Sequence, residues 1–276
     1  MLICEVNDIP IHYEIIGEGH PVLMLHGGGG DHRNMMNILE PVFSEHPGWQ
    51  RIYPDLPGHG RTPAPAWLTN HDQVLGIILG FIDRVIPQGA FALAGGSRGA
   101  YLAQGVLARS SASLTGLLLI IPVSSKKNEG TIPAKTVLVK DESIWQEMLP
   151  GEAAYMDGYV VQDRNALEDI RRSLPSYQLS DGAYQQRIMK PENYRFSFPI
   201  DEQPAIFEKP VLILAGRQDS MVGYQGAMKM EERFRRGTLA VLDSAGHALP
   251  GEQPALSHAL VAEWLDRLDE FTAEAG

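Results

Sequence analysis

Short apolar runs recur along the chain, each closed by a turn signal. They read PVLMLHG (21–27), RIYPDLPG (51–58), FALAGG (91–96), GLLLIIP (116–122), KPVLILAG (209–216) and LAVLDSAG (239–246). Near-continuous apolar strands of this length fit a parallel sheet covered on both faces. Helix-length amphipathic segments lie between most of them. Residues 70–86 carry Val74, Ile77, Ile78, Phe81, Ile82 and Val85 at helical spacing, and residues 253–271 carry Leu256, Leu260, Val261, Trp264, Leu265 and Leu268. The opening stretch MLICEVNDIPIHYEI alternates apolar and polar residues, which predicts a strand pair turning at Asn7-Asp8. Strands alternating with helices predict an α/β fold with a doubly wound, mostly parallel sheet.

One stretch breaks this rhythm. Residues 123–203 hold no strong strand run, only a polar loop SSKKNEG and helix-like pieces such as DRNALEDIRRSL and DGAYQQRIMK. An insertion of about eighty residues between two strands predicts a helical cap over one edge of the sheet. The division expected is therefore a core of residues 1–122 and 204–276 with a cap of residues 123–203. Arg233, Arg235 and Arg236 before Gly237 read as the basic end of a helix.

Composition narrows the classes of function. Apolar residues at 44% and charged residues at 21% are an ordinary globular balance for one large domain of 276 residues. A net charge of −11 argues against nucleic acid as a partner, because phosphate backbones require clustered Lys and Arg. Cys4 is the only cysteine, so no intrachain disulfide forms. No apolar run approaches the roughly 20 residues that span a bilayer, and no Lys or Arg precedes the first apolar stretch as a secretion signal would require. The expectation is a soluble, cytoplasmic protein acting on a small molecule, with no membrane partner and no readable oligomeric state.

Ser97 stands in Gly95-Gly96-Ser97-Arg98-Gly99, between the strand-like FALAGG and the helix-like RGAYLAQGVLAR. A sharp strand-to-helix turn exposes the central side chain, and flanking glycines remove the Cβ clashes that would prevent it. The plainer alternative is a serine that N-caps the helix. A hydroxyl needs a base within hydrogen-bond reach to become a nucleophile. Of the nine histidines, His12, His46, His71 and His258 have structural explanations, whereas His247 follows the last strand run, where α/β sheets place ligands. Asp219, at the end of VLILAGRQD, supplies a carboxylate to orient that base, or else caps a helix starting near Met221. The chain order Ser97, Asp219, His247 is the one expected of this architecture. HGGGG (26–30) offers backbone N–H donors for an oxyanion, with the N–H groups of Gly28 and Arg98 as the expected pair. A dinucleotide site is the rival reading of the glycines, but Arg33 stands where the third glycine belongs and Asp55 runs into Leu56-Pro57-Gly58.

With these residues in place the chain resembles the α/β-hydrolase superfamily, specifically single-domain serine hydrolases with a helical cap. The resemblance covers the chain outside the cap and rests on HGGGG, YPDLPGHGRT, GGSRG, GRQD and SAGH in the family's order. It implies Ser97 as nucleophile, Asp219 as acid, His247 as base, a structural His59, and neither cofactor nor metal. The expected activity is hydrolysis of a small ester or related acyl substrate through an acyl-enzyme. Alternatives on the same fold are a carbon–carbon bond hydrolase, an aminopeptidase, or a slow-turnover receptor for a small molecule. Gly29 departs from the proline that iminopeptidases carry there, and Ser97 in place of an aspartate argues against a haloalkane dehalogenase. The Arg98 side chain either favours an anionic substrate or forms a salt bridge on the helix surface. Trp145, Met148, Tyr155 and Tyr159 either line the pocket or fill the cap's own core, and at least half are expected in the core.

Overall fold

The structure, a computed structural model, describes residues 1–87, 89–124, 132–200 and 207–275. The chain opens with the hairpin β1 (Leu2–Val6) and β2 (Ile9–Ile16). Asn7 (φ 49°) and Asp8 (φ 62°) both adopt the left-handed region, as a two-residue turn of type I′ requires. Then follow β3 (His20–Leu25), α1 (His32–Phe43), β4 (Trp49–Pro54), α2 (His71–Val85), β5 (Phe91–Gly96), α3 (Arg98–Ser110) and β6 (Leu114–Ile120). After the intervening segment come β9 (Phe207–Gly216), α8 (Gln225–Glu231), β10 (Phe234–Leu242), α9 (Leu249–Glu252) and α10 (Pro254–Ala275).

The eight long strands form one sheet in the order β1-β2-β4-β3-β5-β6-β9-β10. Only the pairs β1·β2 and β2·β4 are antiparallel, so the sheet is doubly wound and mostly parallel. Alternation along each strand divides the core in two. Leu23, Leu25, Leu93, Leu117 and Ile213 face α2 and α3 on one side, while Met24, Ala94, Leu118, Leu212 and Leu214 meet α1 and α10 on the other. Burial on both faces is why β5 and β6 read as unbroken apolar runs.

Between β6 and β9 lie two-residue strands β7 (Val139–Lys140) and β8 (Val161–Gln162), which pair with each other. The same segment holds α4 (Glu152–Met156), α5 (Arg164–Tyr177), α6 (Gly182–Ile188) and α7 (Pro191–Tyr194). Strands of two residues leave no periodicity to read, so the sequence did not predict them. Most of the SSKKNEG loop and the expected boundary at 203/204 lie outside the described residues. One expectation is corrected. Arg235 and Arg236 belong to β10 and do not end a helix, because β10 extends back to Phe234 through an irregular register against β9. Among the described residues, no helix is long and apolar enough to cross a membrane.

A buried ion pair fixes the loops above β3 and β4. The Nδ1 of His32, the first residue of α1, lies 2.7 Å from Oδ1 of Asp55, just past β4. Asp55 also accepts from the backbone N–H groups of His32 and Arg61. Burial alone would lower the His32 pKa, but the hydrogen bond to Asp55 and the charges of Asp55, Asp31 and Glu14 raise it above its ordinary value. Burial would likewise raise Asp55, yet its bonds to His32 and Arg61 hold it below the usual carboxylate range. The His32 contribution is thus fully present below pH 6.5 and fades as pH rises through the raised pKa. The Asp55 contribution is present above pH 3.8 and fades as pH falls through the lowered one. Asp55→Asn is expected to reduce unfolding free energy by about 3 kcal/mol near pH 6 and by less at pH 9, measured by urea denaturation.

Candidate active site

The turn from β5 into α3 is held in a conformation that few sequences can adopt. Ser97 has φ 49° and ψ −113°, and its side chain makes no capping bond to α3. Holding a non-glycine residue there costs on the order of 1–3 kcal/mol. The glycines around it are set by close approach. A Cβ on Gly95 would lie 2.4 Å from the carbonyl oxygen of Gly99, and a Cβ on Gly99 would lie 2.0 Å from that of Leu25. The Ser97 N–H donates to the Ile120 carbonyl at 2.9 Å, which ties the turn to β6.

Ser97 Oγ lies 3.0 Å from His247 Nε2, and His247 Nδ1 lies 2.9 Å from Asp219 Oδ2. The three side chains come from 150 and 28 residues apart in the chain. His247 sits in the turn between β10 and α9, and Asp219 just beyond β9. The two loops are stitched together: the Gln218 N–H donates to the Ala245 carbonyl at 2.9 Å, and the Ala245 N–H donates to Gln218 Oε1 at 3.2 Å. The two oxygens of the Asp219 carboxylate have different partners, and neither caps a helix. Oδ1 accepts from the N–H groups of Met221 and Val222 while Oδ2 faces His247. Met221 and Val222 form a turn, and the helix starts only at Gln225. Burial would raise the Asp219 pKa, but the hydrogen bond with His247, its charge and the two backbone donors hold it below the usual carboxylate range.

The glycine loop 27–30 is framed by two buried histidines. His26 Nδ1 lies 2.8 Å from the Gly27 carbonyl, so this nitrogen carries the proton, and Nε2 accepts from the Leu56 N–H at 2.9 Å. Burial pushes its pKa down to about 4. His59 is held the same way, with Nδ1 donating to the Pro57 carbonyl and Nε2 accepting from the Gly29 N–H at 3.3 Å. Burial and the Arg98 charge push His59 well below its ordinary value. Both rings are therefore neutral at physiological pH, with a fixed tautomer and an acceptor facing the loop. At Gly28 the loop is open, since a Cβ there would meet nothing closer than the Arg98 guanidinium at 3.8 Å. Arg98 opens α3, where the backbone N–H has no intrahelical acceptor.

Two cavities meet at Ser97 and His247. One of about 230 Å³ is lined by Gly27, Asn34, Ile121, Tyr155, Tyr159 and Tyr177, among others. The other, of about 510 Å³, lies on the Arg98 side with Gln185, Met189, Tyr194 and Arg195. Tyr155 and Tyr159 thus line a cavity, whereas Trp145 and Met148 pack against Ile144, Met156 and Leu167. The Arg98 side chain is buried at 4% exposure, and among the described residues it forms no salt bridge.

Glu252 escaped the sequence reading, because nothing in LPGEQP separates a buried acid from a loop residue. Its side chain accepts from the Val160 and Val161 N–H groups beside β8 and from the Gly246 N–H, at 2.6 Å, next to His247. Burial raises its pKa against the pull of those three donors. It joins the segment between β6 and β9 to the His247 turn.

The alpha/beta hydrolase fold family profile matches residues 20–254, and the chain belongs to this family. Among curated relatives, it is 26% identical to a dihydrolipoyllysine-residue acetyltransferase component of the acetoin cleaving system of Cupriavidus necator, over 95% of this chain and 68% of that protein. It is 25% identical to a pimeloyl-acyl-carrier-protein methyl ester esterase of Legionella pneumophila, over 95% of this chain and 98% of the relative. A solved alpha/beta superfamily hydrolase from Oenococcus oeni PSU-1 superposes with a TM-score of 0.84 at 27% identity, covering 94% of this chain and 96% of that one.

The close approach at the Ser97 turn separates two glycine substitutions. Gly99→Ala is expected to lower unfolding free energy by about 3 kcal/mol or more, since the Leu25 backbone must move. Gly76→Ala, at an exposed position of α2 with nothing within 4 Å, is expected to raise it by about 0.5–1 kcal/mol. Denaturant midpoints of the two variants check both signs.

Proposed function

We propose that the protein is a serine hydrolase acting on small esters or related acyl substrates through an acyl-enzyme. The observation that carries this reading is the relay Ser97 Oγ, His247 Nε2, His247 Nδ1, Asp219 Oδ2, with links of 3.0 and 2.9 Å. Ser97 Oγ attacks the acyl carbon as His247 Nε2 takes its proton. The ionised Asp219 holds the Nδ1–H tautomer and stabilises the imidazolium that forms. The N–H groups of Gly28 and Arg98 receive the developing oxyanion, which is worth roughly 2.7–4 kcal/mol per donor in comparable sites. The alcohol leaves with the proton from His247. A water activated by the same nitrogen then releases the acid and restores Ser97. The neutral His26 and His59 keep the glycine loop in place through these steps. The two cavities flanking Ser97 give room for an acyl arm and a leaving-group arm.

In the same reading, residues 123–203 form a cap over the core of residues 1–122 and 204–276. Tyr155 and Tyr177 from α4 and α5, with Gln185 from α6, border the two cavities. The similarity to an esterase from Legionella pneumophila over nearly the full length of both chains supports an ester substrate.

The test is nitrophenolate release from p-nitrophenyl acetate and butyrate. Multiple turnovers are expected from the protein, none above background from Ser97→Ala, and a kcat lower by roughly 10⁴ from Asp219→Asn. Equal release by the protein and Ser97→Ala would overturn the assignment of Ser97.

A further inference from the structure

Arg98 carries a buried charge whose partners are all neutral. Nη1 donates to Gln185 Oε1 at 2.9 Å and Nη2 to His59 Nε2 at 2.6 Å. His59 is itself a neutral acceptor, because its Nδ1–H is committed to Pro57. Among the described residues, no carboxylate lies within ion-pair distance of the guanidinium, and burial pulls its pKa below the ordinary arginine value. Buried charges in proteins are paired, coordinate a ligand, or are destabilising. Two of the five N–H donors are used by Gln185 and His59, which leaves donors of the planar fork for an anion.

The position of this cation matters as much as its isolation. Arg98 lines the 510 Å³ cavity together with Ser97 and His247. Arg195 stands exposed in the lining of the same cavity, and no acidic side chain lines it among the described residues. The cavity is thus cationic in a chain whose net charge is −11. Gly28, which lines the same cavity, has no side chain to occupy the space beside the Arg98 guanidinium, from which a Cβ would lie 3.8 Å away. Gln185 and His59 fix the plane of the fork from α6 and from the turn after β4, so it is held ready before a ligand arrives.

We propose that Arg98 is a specificity-determining residue that binds a carboxylate on the substrate, so that the preferred substrates are esters bearing an anionic arm. This inference rests on the serine hydrolase reading for the bond that is broken, but the binding of the anion does not. The reacting ester sits at Ser97 while the carboxylate of the same molecule meets the Arg98 guanidinium. The neutral partners of Arg98 make that substrate carboxylate its countercharge.

The experiment measures equilibrium binding to Ser97→Ala protein by calorimetry for two matched pairs. Monomethyl glutarate against dimethyl glutarate places the charge on the acyl arm, and 4-acetoxybenzoate against phenyl acetate places it on the leaving-group arm. At least one anionic member is expected to bind tenfold or more tightly than its neutral match. Arg98→Met in the same background is expected to remove that preference, and Arg98→Lys to keep part of it. Equal affinities within both pairs would overturn the proposal without recourse to any Arg98 variant, as would a preference that survives Arg98→Met. Turnover of the same four esters by the unsubstituted protein reads the other claim separately. Anion preference in binding with no turnover of any ester would leave the Arg98 assignment standing and remove the hydrolase reading.

Discussion

The approach of the β5–α3 turn to β3 is the constraint on which the rest of the site depends. With Gly99 packed against the Leu25 carbonyl and Gly95 against Gly99, the chain has no room to relax into an ordinary helix start. Ser97 is therefore held at positive φ, with its Oγ directed out of the sheet and not back onto the helix it precedes. The strain is local, while the packing that maintains it is spread over β3, β5, β6 and α3. Ile121, at φ 46° just past β6, is a second strained residue lining the same space. Branched residues rarely adopt that conformation, and its N–H bond to Leu214 at 2.7 Å holds it there.

Around this turn the protein uses neutral hydrogen-bonding groups where position matters and charged groups where chemistry or folding needs them. His26 and His59 are kept uncharged by burial, so each offers a fixed acceptor to a backbone N–H near the glycine loop. The His32–Asp55 pair, whose carboxylate raises the histidine pKa, fastens the same loops to the sheet. His247 differs from all of these. It is partly exposed, faces both cavities, and keeps one nitrogen toward Ser97 and the other toward an ionised carboxylate.

Much of this was legible in the sequence, for physical reasons that can be named. The sheet was readable because strands buried on both faces are apolar without interruption, and α2 because its apolar residues recur at helical spacing from Val74 to Val85. Ser97, His247 and Asp219 stood out because each follows a strand run, where loops carry ligands. What escaped notice depends on contacts distant in sequence. Glu252 reaches the backbone near Val160, 92 residues away, and Gln185 meets Arg98 across 87. Of the two expectations for Arg98 the surface ion pair fails: the side chain is buried with neutral partners beside the cavity, an arrangement that depends on α6 folding over it. The arginines near Gly237 were misread because a basic cluster after a helix looks alike whether the chain stops there or enters an edge strand.

The central claim is that Ser97 is an activated nucleophile, and a fluorophosphonate probe tests it without any assumption about substrate. Intact-mass and peptide analysis after exposure to the probe should show one adduct, on Ser97. It should be absent from Ser97→Ala and strongly slowed in His247→Ala. An unlabelled Ser97 in folded protein, or labelling at an undiminished rate without His247, would contradict the account.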